Sequence, residues 1–116
     1  MDAEVLFAGV PVADLDRARP WYESLFGRAA DIVPNEQEVM WKVVDGGWLY
    51  VVEDAERAGG GVVTVSFSSL DDAVAGVTQR GLRPGPIQDV ADAGRKAILT
   101  DPDGNVVSMI EVAATT

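Results

Sequence analysis

Cysteine and histidine are both absent from the 116 residues. Without cysteine there is no disulfide, thiolate metal site, redox pair or cysteine nucleophile. Without histidine there is no Ser-His-Asp triad, no imidazole acid–base catalysis and no His-ligated metal. Basic residues are scarce: nine Lys and Arg against nineteen Asp and Glu leave a formal charge of −10. A chain this acidic repels phosphate backbones, so nucleic acid is not an expected partner. The excess of acids either favours a cationic ligand or serves only solubility. Long apolar runs are lacking too. None approaches the ~20 residues of a membrane-spanning helix, so no membrane partner is expected. The acidic start Met1-Asp2-Ala3-Glu4 lacks the basic region of a signal peptide, and the expected location is the cytoplasm.

What the chain does contain is a globular balance, 47% hydrophobic and 24% charged. One domain over 1–116 is expected. Folding at this mass buries about two-thirds of the unfolded surface, enough for a core without staples. Inside that domain lies a repeat, weak in identity and clear in order. Val10-Pro11-Val12-Ala13-Asp14-Leu15-Asp16-Arg17-Ala18 passes from an apolar strand into a helix, and Val65-Ser66-Phe67-Ser68-Ser69-Leu70-Asp71-Asp72-Ala73 does the same 55 residues later. Asp14 and Ser69 are matching N-caps with acids in the first turns. Gly27 and Gly81 sit as matching helix stops. Turn signals follow at Asp45-Gly46-Gly47 and at Asp101-Pro102-Asp103-Gly104.

Each unit therefore reads strand, helix, three strands, with repeat units about 1–56 and 60–116 joined through Gly59-Gly60-Gly61. The first unit predicts strands near 4–12, 29–33, 38–44 and 48–53 and a helix near 15–26 that Pro20 kinks or restarts. The second predicts strands near 62–68, 86–90, 95–100 and 105–112 and a helix near 70–80. One helix covers one face of each sheet. The expected fold is α+β, two βαβββ units whose curved sheets surround a cup.

Strand alternation then proposes a lining. Leu6, Ala8, Val10, Val63, Val65 and Phe67 face the helices. Phe7, Gly9, Val62, Thr64, Ser66, Val106, Ser108 and Ile110 face the cup, a mixed set suited either to a ligand with a few hydroxyl contacts or to a dimer interface. Trp41, Trp48 and Tyr50 share one hairpin. A two-residue turn at Asp45-Gly46 pairs Tyr50 with Trp41 and sets all three aromatics on one face, as a stacking wall for a planar ligand or as a sheet-stabilising cluster. A three-residue turn sends Trp41 to the opposite face. Arg95 and Lys96 open a strand in an acidic chain, for carboxylate binding or salt bridging. Trp21 and Tyr22 are read as helix packing against the sheet.

The ordered set Val10 to Ala18, Trp21-Tyr22, Leu25-Phe26-Gly27 and Thr100-Asp101-Pro102-Asp103-Gly104-Asn105 resembles the vicinal oxygen chelate superfamily of glyoxalases, bleomycin-resistance proteins and dioxygenases, over essentially the whole chain. In metal-using members the resemblance implies ligands at four places, which hold Phe7, Tyr50, Val62 and Ser108 here. None is a metal ligand, so no metal, no cofactor and no catalytic residue is assigned. Glu53 and Glu111, at the ends of equivalent strands, are the remaining oxygen donors for a hard cation such as Mg²⁺ or Ca²⁺. The resemblance implies a homodimer that binds a small molecule, a cationic or planar natural product, as an antibiotic-sequestering protein does. The ligand-binding set is Phe7, Trp41, Trp48, Tyr50, Val62, Thr64 and Ser108. Rival readings are a lyase, isomerase or cyclase working without a transition metal, and a diverged non-catalytic module that binds a metabolite.

Overall fold

The chain runs β1 (Leu6–Val12), α1 (Leu15–Phe26), β2 (Ile32–Asn35), β3 (Glu38–Val44), β4 (Gly47–Glu53), β5 (Val62–Ser66), α2 (Leu70–Gln79), β6 (Gln88–Val90), β7 (Gly94–Thr100) and β8 (Val106–Val112), in a computed structural model that describes residues 2–113. Two four-stranded mixed sheets result, ordered β1-β4-β3-β2 and β5-β8-β7-β6. The α+β architecture of two βαβββ units is as the repeat predicted.

Local chemistry sets the helix ends. The Asp14 carboxylate accepts from the Asp16 N–H at 3.0 Å and Ser69 Oγ from the Asp72 N–H at 3.2 Å, satisfying donors that a helix N-terminus leaves orphaned. Gly27 stops α1 in the left-handed region at φ 71°, where a side chain would be strained. The helix is continuous across the exposed Pro20, so the expected restart does not occur. β2 begins three residues later than predicted, because Arg28 pairs with Asp31 at 2.9 Å and donates to the Lys42 carbonyl at 2.7 Å. Those bonds hold residues 28–31 as a connection rather than a strand.

Residues facing the helices from both sheets share one core with the helices' own apolar stripes. Val10, Val12, Val39, Trp41, Leu49 and Val51 come from the first sheet, Ala97, Leu99, Val107 and Met109 from the second, and all are at most 2% exposed. Arg80 of α2 donates to the carbonyls of Ser24 and Leu25 at the end of α1, where the helix dipole welcomes a cation. With both helices and both helix-facing sides gathered into one core, the opposite face of each sheet looks outward. The sheets are not closed on one another.

The β3–β4 hairpin corrects one expectation. Its turn does have two residues, with Val44 opposite Gly47, yet the register shifts at Val43 so that Lys42 pairs with Trp48 and Met40 with Tyr50. One extra residue in β3 reverses the face of everything before it. Trp41 therefore lies opposite Leu49, fully buried, with its ring 5.2 Å from that of Phe26 and 6.3 Å from that of Tyr22. Its indole N–H donates to the Arg28 carbonyl at 3.1 Å. Burying ~150–250 Å² of indole at ~25 cal/mol per Å² is worth roughly 4–6 kcal/mol, more than a regular ladder pair supplies, so the bulge wins. Trp41 is a core residue and leaves the proposed aromatic wall.

The two repeats are joined by buried polar bonds around the Asp-Pro-Asp-Gly-Asn turn. Asp101 accepts from Tyr22 Oη at 2.6 Å and from Asn105 Nδ2 at 2.8 Å on one oxygen, and from the Asp103 and Asn105 N–H groups on the other. Asn105, fully buried, also donates to the Pro11 carbonyl at 2.8 Å and accepts from the Gly61 N–H at 2.7 Å. A Cβ on Gly61 would lie 2.8 Å from Asn105 Oδ1, so the glycine linker is required for close approach. Burial and the Asp101 carboxylate push the Tyr22 phenol far above its usual range, keeping it the donor in this bond.

If Trp41 and Trp48 have these different roles, Trp41→Ala should lower unfolding stability by roughly 3–5 kcal/mol. Trp48→Ala should lower it by no more than about 1 kcal/mol. Denaturant midpoints at equal m-values check the contrast.

Candidate functional site

Two rows of side chains on the outward face of the first sheet define the strongest candidate. In the first, Phe7 pairs with Trp48 across the parallel β1–β4 ladder and Trp48 with Lys42 across β3–β4. The Phe7 and Trp48 rings stack with centroids 6.4 Å apart and planes 23° from parallel. In the second row, Gly9 lies beside Tyr50 and Tyr50 beside Met40. The Tyr50 ring lies over Gly9, where any Cβ would overlap it. Glycine here gives the phenol a flat bed next to the stacked pair. Phe7 is 53% exposed, and neither Trp48 nor Tyr50 is buried. This is a half-open aromatic surface with one hydroxyl at its edge.

The second sheet presents the repeat-related surface. Val62 pairs with Val106 and Thr64 with Ser108, at the places held in the first sheet by the Phe7–Trp48 and Gly9–Tyr50 pairs. The offset between repeats is 55 residues on the first strand and 58 on the last, so Tyr50 and Ser108 occupy equivalent positions. The predicted residues thus fall into two groups: Phe7, Trp48 and Tyr50 on one outward face, and Val62, Thr64 and Ser108 on the other. Trp48 of the first group and Thr64 of the second line a common groove. Where β1 approaches β5, Leu6, Ala8, Trp48, Val63 and Thr64 line an open, largely apolar groove of about 300 Å³.

The four places where the family resemblance implies metal ligands do not suit a metal. Phe7 and Val62 carry no donor atom, and Tyr50 and Ser108 offer only neutral hydroxyls, whereas catalytic transition metals take imidazole, thiolate or carboxylate. Among the described residues no three His, Cys, Asp or Glu side chains gather in a metal-holding group. Tyr50, Thr64 and Ser108 make no hydrogen bond to a titratable side chain among the described residues.

Glu53 and Glu111 have structural duties. Glu53 Oε1 accepts from the Leu15 N–H at 3.0 Å and Glu111 Oε1 from the Leu70 N–H at 2.9 Å. Each carboxylate, at the end of the last strand of its repeat, caps the helix of the same repeat at its positive end. Arg95 then bridges Asp71 at 3.0 Å and Glu111 at 3.4 Å, so salt bridging is its role. Strand alternation sends the adjacent Lys96 to the outward face instead, paired with Ile110 and Gln88. Lys42, Met40 and Ile98 are outward-facing residues that sequence reasoning left out, whereas Lys96 was singled out there together with Arg95. Their alternation was readable in β7, but in β3 the bulge at Val43 hid it.

Neither the family models nor the curated proteins contain a match. Solved structures do. A glyoxalase/bleomycin resistance protein from Catenulispora acidiphila is 37% identical, with a TM-score of 0.88, over 93% of this chain and 97% of that one. TnmS3, an antibiotic binding protein from Streptomyces sp. CB03234, is 22% identical with a TM-score of 0.75, over 97% and 98% of the two chains. A bleomycin-binding protein complexed with bleomycin is 18% identical with a TM-score of 0.75, over 91% and 96%.

Because Glu111 is a helix cap, Glu111→Ala should cost about 1 kcal/mol, and Glu53→Ala should destabilise in the same direction. Thermal melts of the unsubstituted protein with and without millimolar Mg²⁺ or Ca²⁺ should coincide. A rise in melting temperature would restore the cation reading.

Proposed function

The chain belongs to the glyoxalase/bleomycin resistance protein family, and from that premise we propose that it binds a planar aromatic small molecule, as an antibiotic-binding protein does, without a transition metal. The observation that carries the reading is the outward, half-open surface of Phe7, Trp48 and Tyr50. Stacked aromatics left in contact with solvent are a standing cost unless something covers them. Support comes from two similar folds that are an antibiotic binding protein and a protein complexed with bleomycin. The donor chemistry at the family's ligand positions supports binding by stacking and desolvation rather than chelation. Sequestration in the cytoplasm needs affinity alone, which agrees with hydroxyls hydrogen-bonded to no titratable side chain among the described residues.

The same reading includes a homodimer. Among the described residues six large apolar side chains are more than half exposed, Leu6, Phe7, Val33, Val44, Val62 and Val112, with Leu6 at 72% and Val62 at 74%. The radius of gyration is 14.4 Å, against about 13.4 Å for a compact domain of this length. A second copy that sets the Thr64–Ser108 face against the Phe7–Trp48–Tyr50 face completes a cup that one chain leaves open.

Two measurements test this. Light scattering at micromolar concentration should return twice the chain's 12.3 kDa, and a monomer mass would remove the completed cup. Titration with a planar polycyclic antibiotic should quench Trp48 fluorescence, with the core residue Trp41 and the helix residue Trp21 silent. Trp48→Ala should then weaken binding roughly tenfold or more, the equivalent of about 1.4 kcal/mol. Unchanged affinity in a normally folded Trp48→Ala protein would make the aromatic surface structural only.

A further inference from the structure

The chain's charge and the charge of its outward sheet faces have opposite signs. Nineteen acids and nine bases give −10 overall. Yet the strand positions that point away from the helices on β1, β3, β4, β5, β7 and β8 carry only Glu38, Lys42 and Lys96, a net +1. The remaining strand acids, such as Glu53 and Glu111, face the helix side and cap it. Six of the nine basic residues, Arg17, Arg19, Arg28, Lys42, Arg57 and Arg95, are in ion pairs, and Arg80 is spent on helix carbonyls. Lys42 is answered by Asp45 at 3.6 Å, and its own N–H binds Asp31, whose carboxyl Arg28 and Lys42 hold below the usual range.

Lys96 is different. Like the exposed Arg83 it has no ion-pair partner among the described residues, but unlike Arg83 it stands on a sheet face and is partly buried. Its cross-strand neighbours are the uncharged Ile110 and Gln88. The acids next to them in sequence, Glu111 and Asp89, lie on the other face, and Glu111 is taken by Arg95 and the Leu70 N–H. Lys96 itself lines a small hollow of about 140 Å³ with Val90, Gly94 and Ile110, and Arg95 and Glu111 line it too. Arg95 and Glu111 answer each other there at 3.4 Å, so the Lys96 ammonium is the unpaired charge of the hollow and can receive an anion.

We propose that Lys96 selects the ligand's charge: the aromatic ligand of this site carries an anionic oxygen, a carboxylate or phenolate, that Lys96 receives. The inference rests on the binding reading above, in which the Lys96 face of one copy meets the Phe7–Trp48–Tyr50 face of its partner. It replaces the cationic ligand that net charge alone suggests. The −10 of the whole molecule is screened beyond a Debye length of about 8 Å at physiological ionic strength, whereas Lys96 acts in direct contact.

Three matched probes test it by tryptophan quenching: 9-anthracenecarboxylate, 9-anthracenemethanol and 9-anthracenemethylammonium. The expected order places the carboxylate about tenfold tighter than the alcohol and the ammonium weakest. Lys96→Met should bring the carboxylate down to the alcohol's affinity, Lys96→Arg should keep the preference, and Arg83→Met, outside both sheets, should keep it as well. Trp48→Ala should weaken all three probes together and preserve their order. Equal binding of carboxylate and alcohol, tightest binding of the ammonium, or a preference that survives Lys96→Met would each overturn the charge assignment while leaving the stacking site in place. If no probe quenches tryptophan at millimolar concentration, the binding reading falls and this inference falls with it.

Discussion

Two carbon-chain repeats with one helix each do not hold together by apolar burial alone, and the joint between them is polar. The Asn105 amide is fully buried, and both of its ends are used: it holds β1 through the Pro11 carbonyl, the linker through the Gly61 N–H and its own turn through Asp101. Asp101 in turn receives the Tyr22 hydroxyl from α1. Each of these groups, if left unpaired in the interior, costs about 1–3 kcal/mol. The network is therefore satisfied only when the first strand, first helix, linker and last turn are all in place. Such an arrangement fixes which faces of the two sheets are given to the core.

Once the core is shared, the outward faces follow by subtraction. Val10, Val12, Leu49 and Val51 go inward, so Phe7, Trp48 and Tyr50 go outward. Arg95 goes to Asp71 and Glu111, so Lys96 goes to the open face. Where the strict period of two met a large aromatic that would otherwise lie outside, as at Trp41, the ladder gave way with a bulge. The gain from burying an indole exceeds the loss of one regular pair.

The binding reading and the metal question meet at the same four residues. Phe7 and Val62 bring hydrocarbon, Tyr50 and Ser108 bring neutral hydroxyls, and the floor they form on each sheet suits stacking and a few hydrogen bonds. The glutamates that end β4 and β8 are at the helix N-termini instead, where their charge offsets the helix dipole. Within each repeat, the strand-end carboxylate is thus consumed by the scaffold, and the outward faces are left aromatic, hydroxylic and weakly basic.

The sequence by itself determined the repeat, both helices with their caps, the hairpin turns, the α+β class and the family, because N-cap residues, turn glycines and apolar alternation act over a few residues and need no distant partner. It also placed Phe7, Trp48, Tyr50, Thr64 and Ser108 on their faces, since those strands are regular. Only the tertiary structure decided that Trp41 is core, that Glu53 and Glu111 are caps and that Arg95 is held by Asp71 and Glu111. It alone decided that a turn reading Asp-Pro-Asp-Gly-Asn joins the repeats. Each of these depends on a partner supplied by a remote segment: the Arg28 carbonyl for Trp41, the Leu15 and Leu70 N–H groups for the glutamates, Asp71 for Arg95, Pro11 for Asn105. Net charge is legible from composition, but the sign of a binding face is set by which charges the fold has already used.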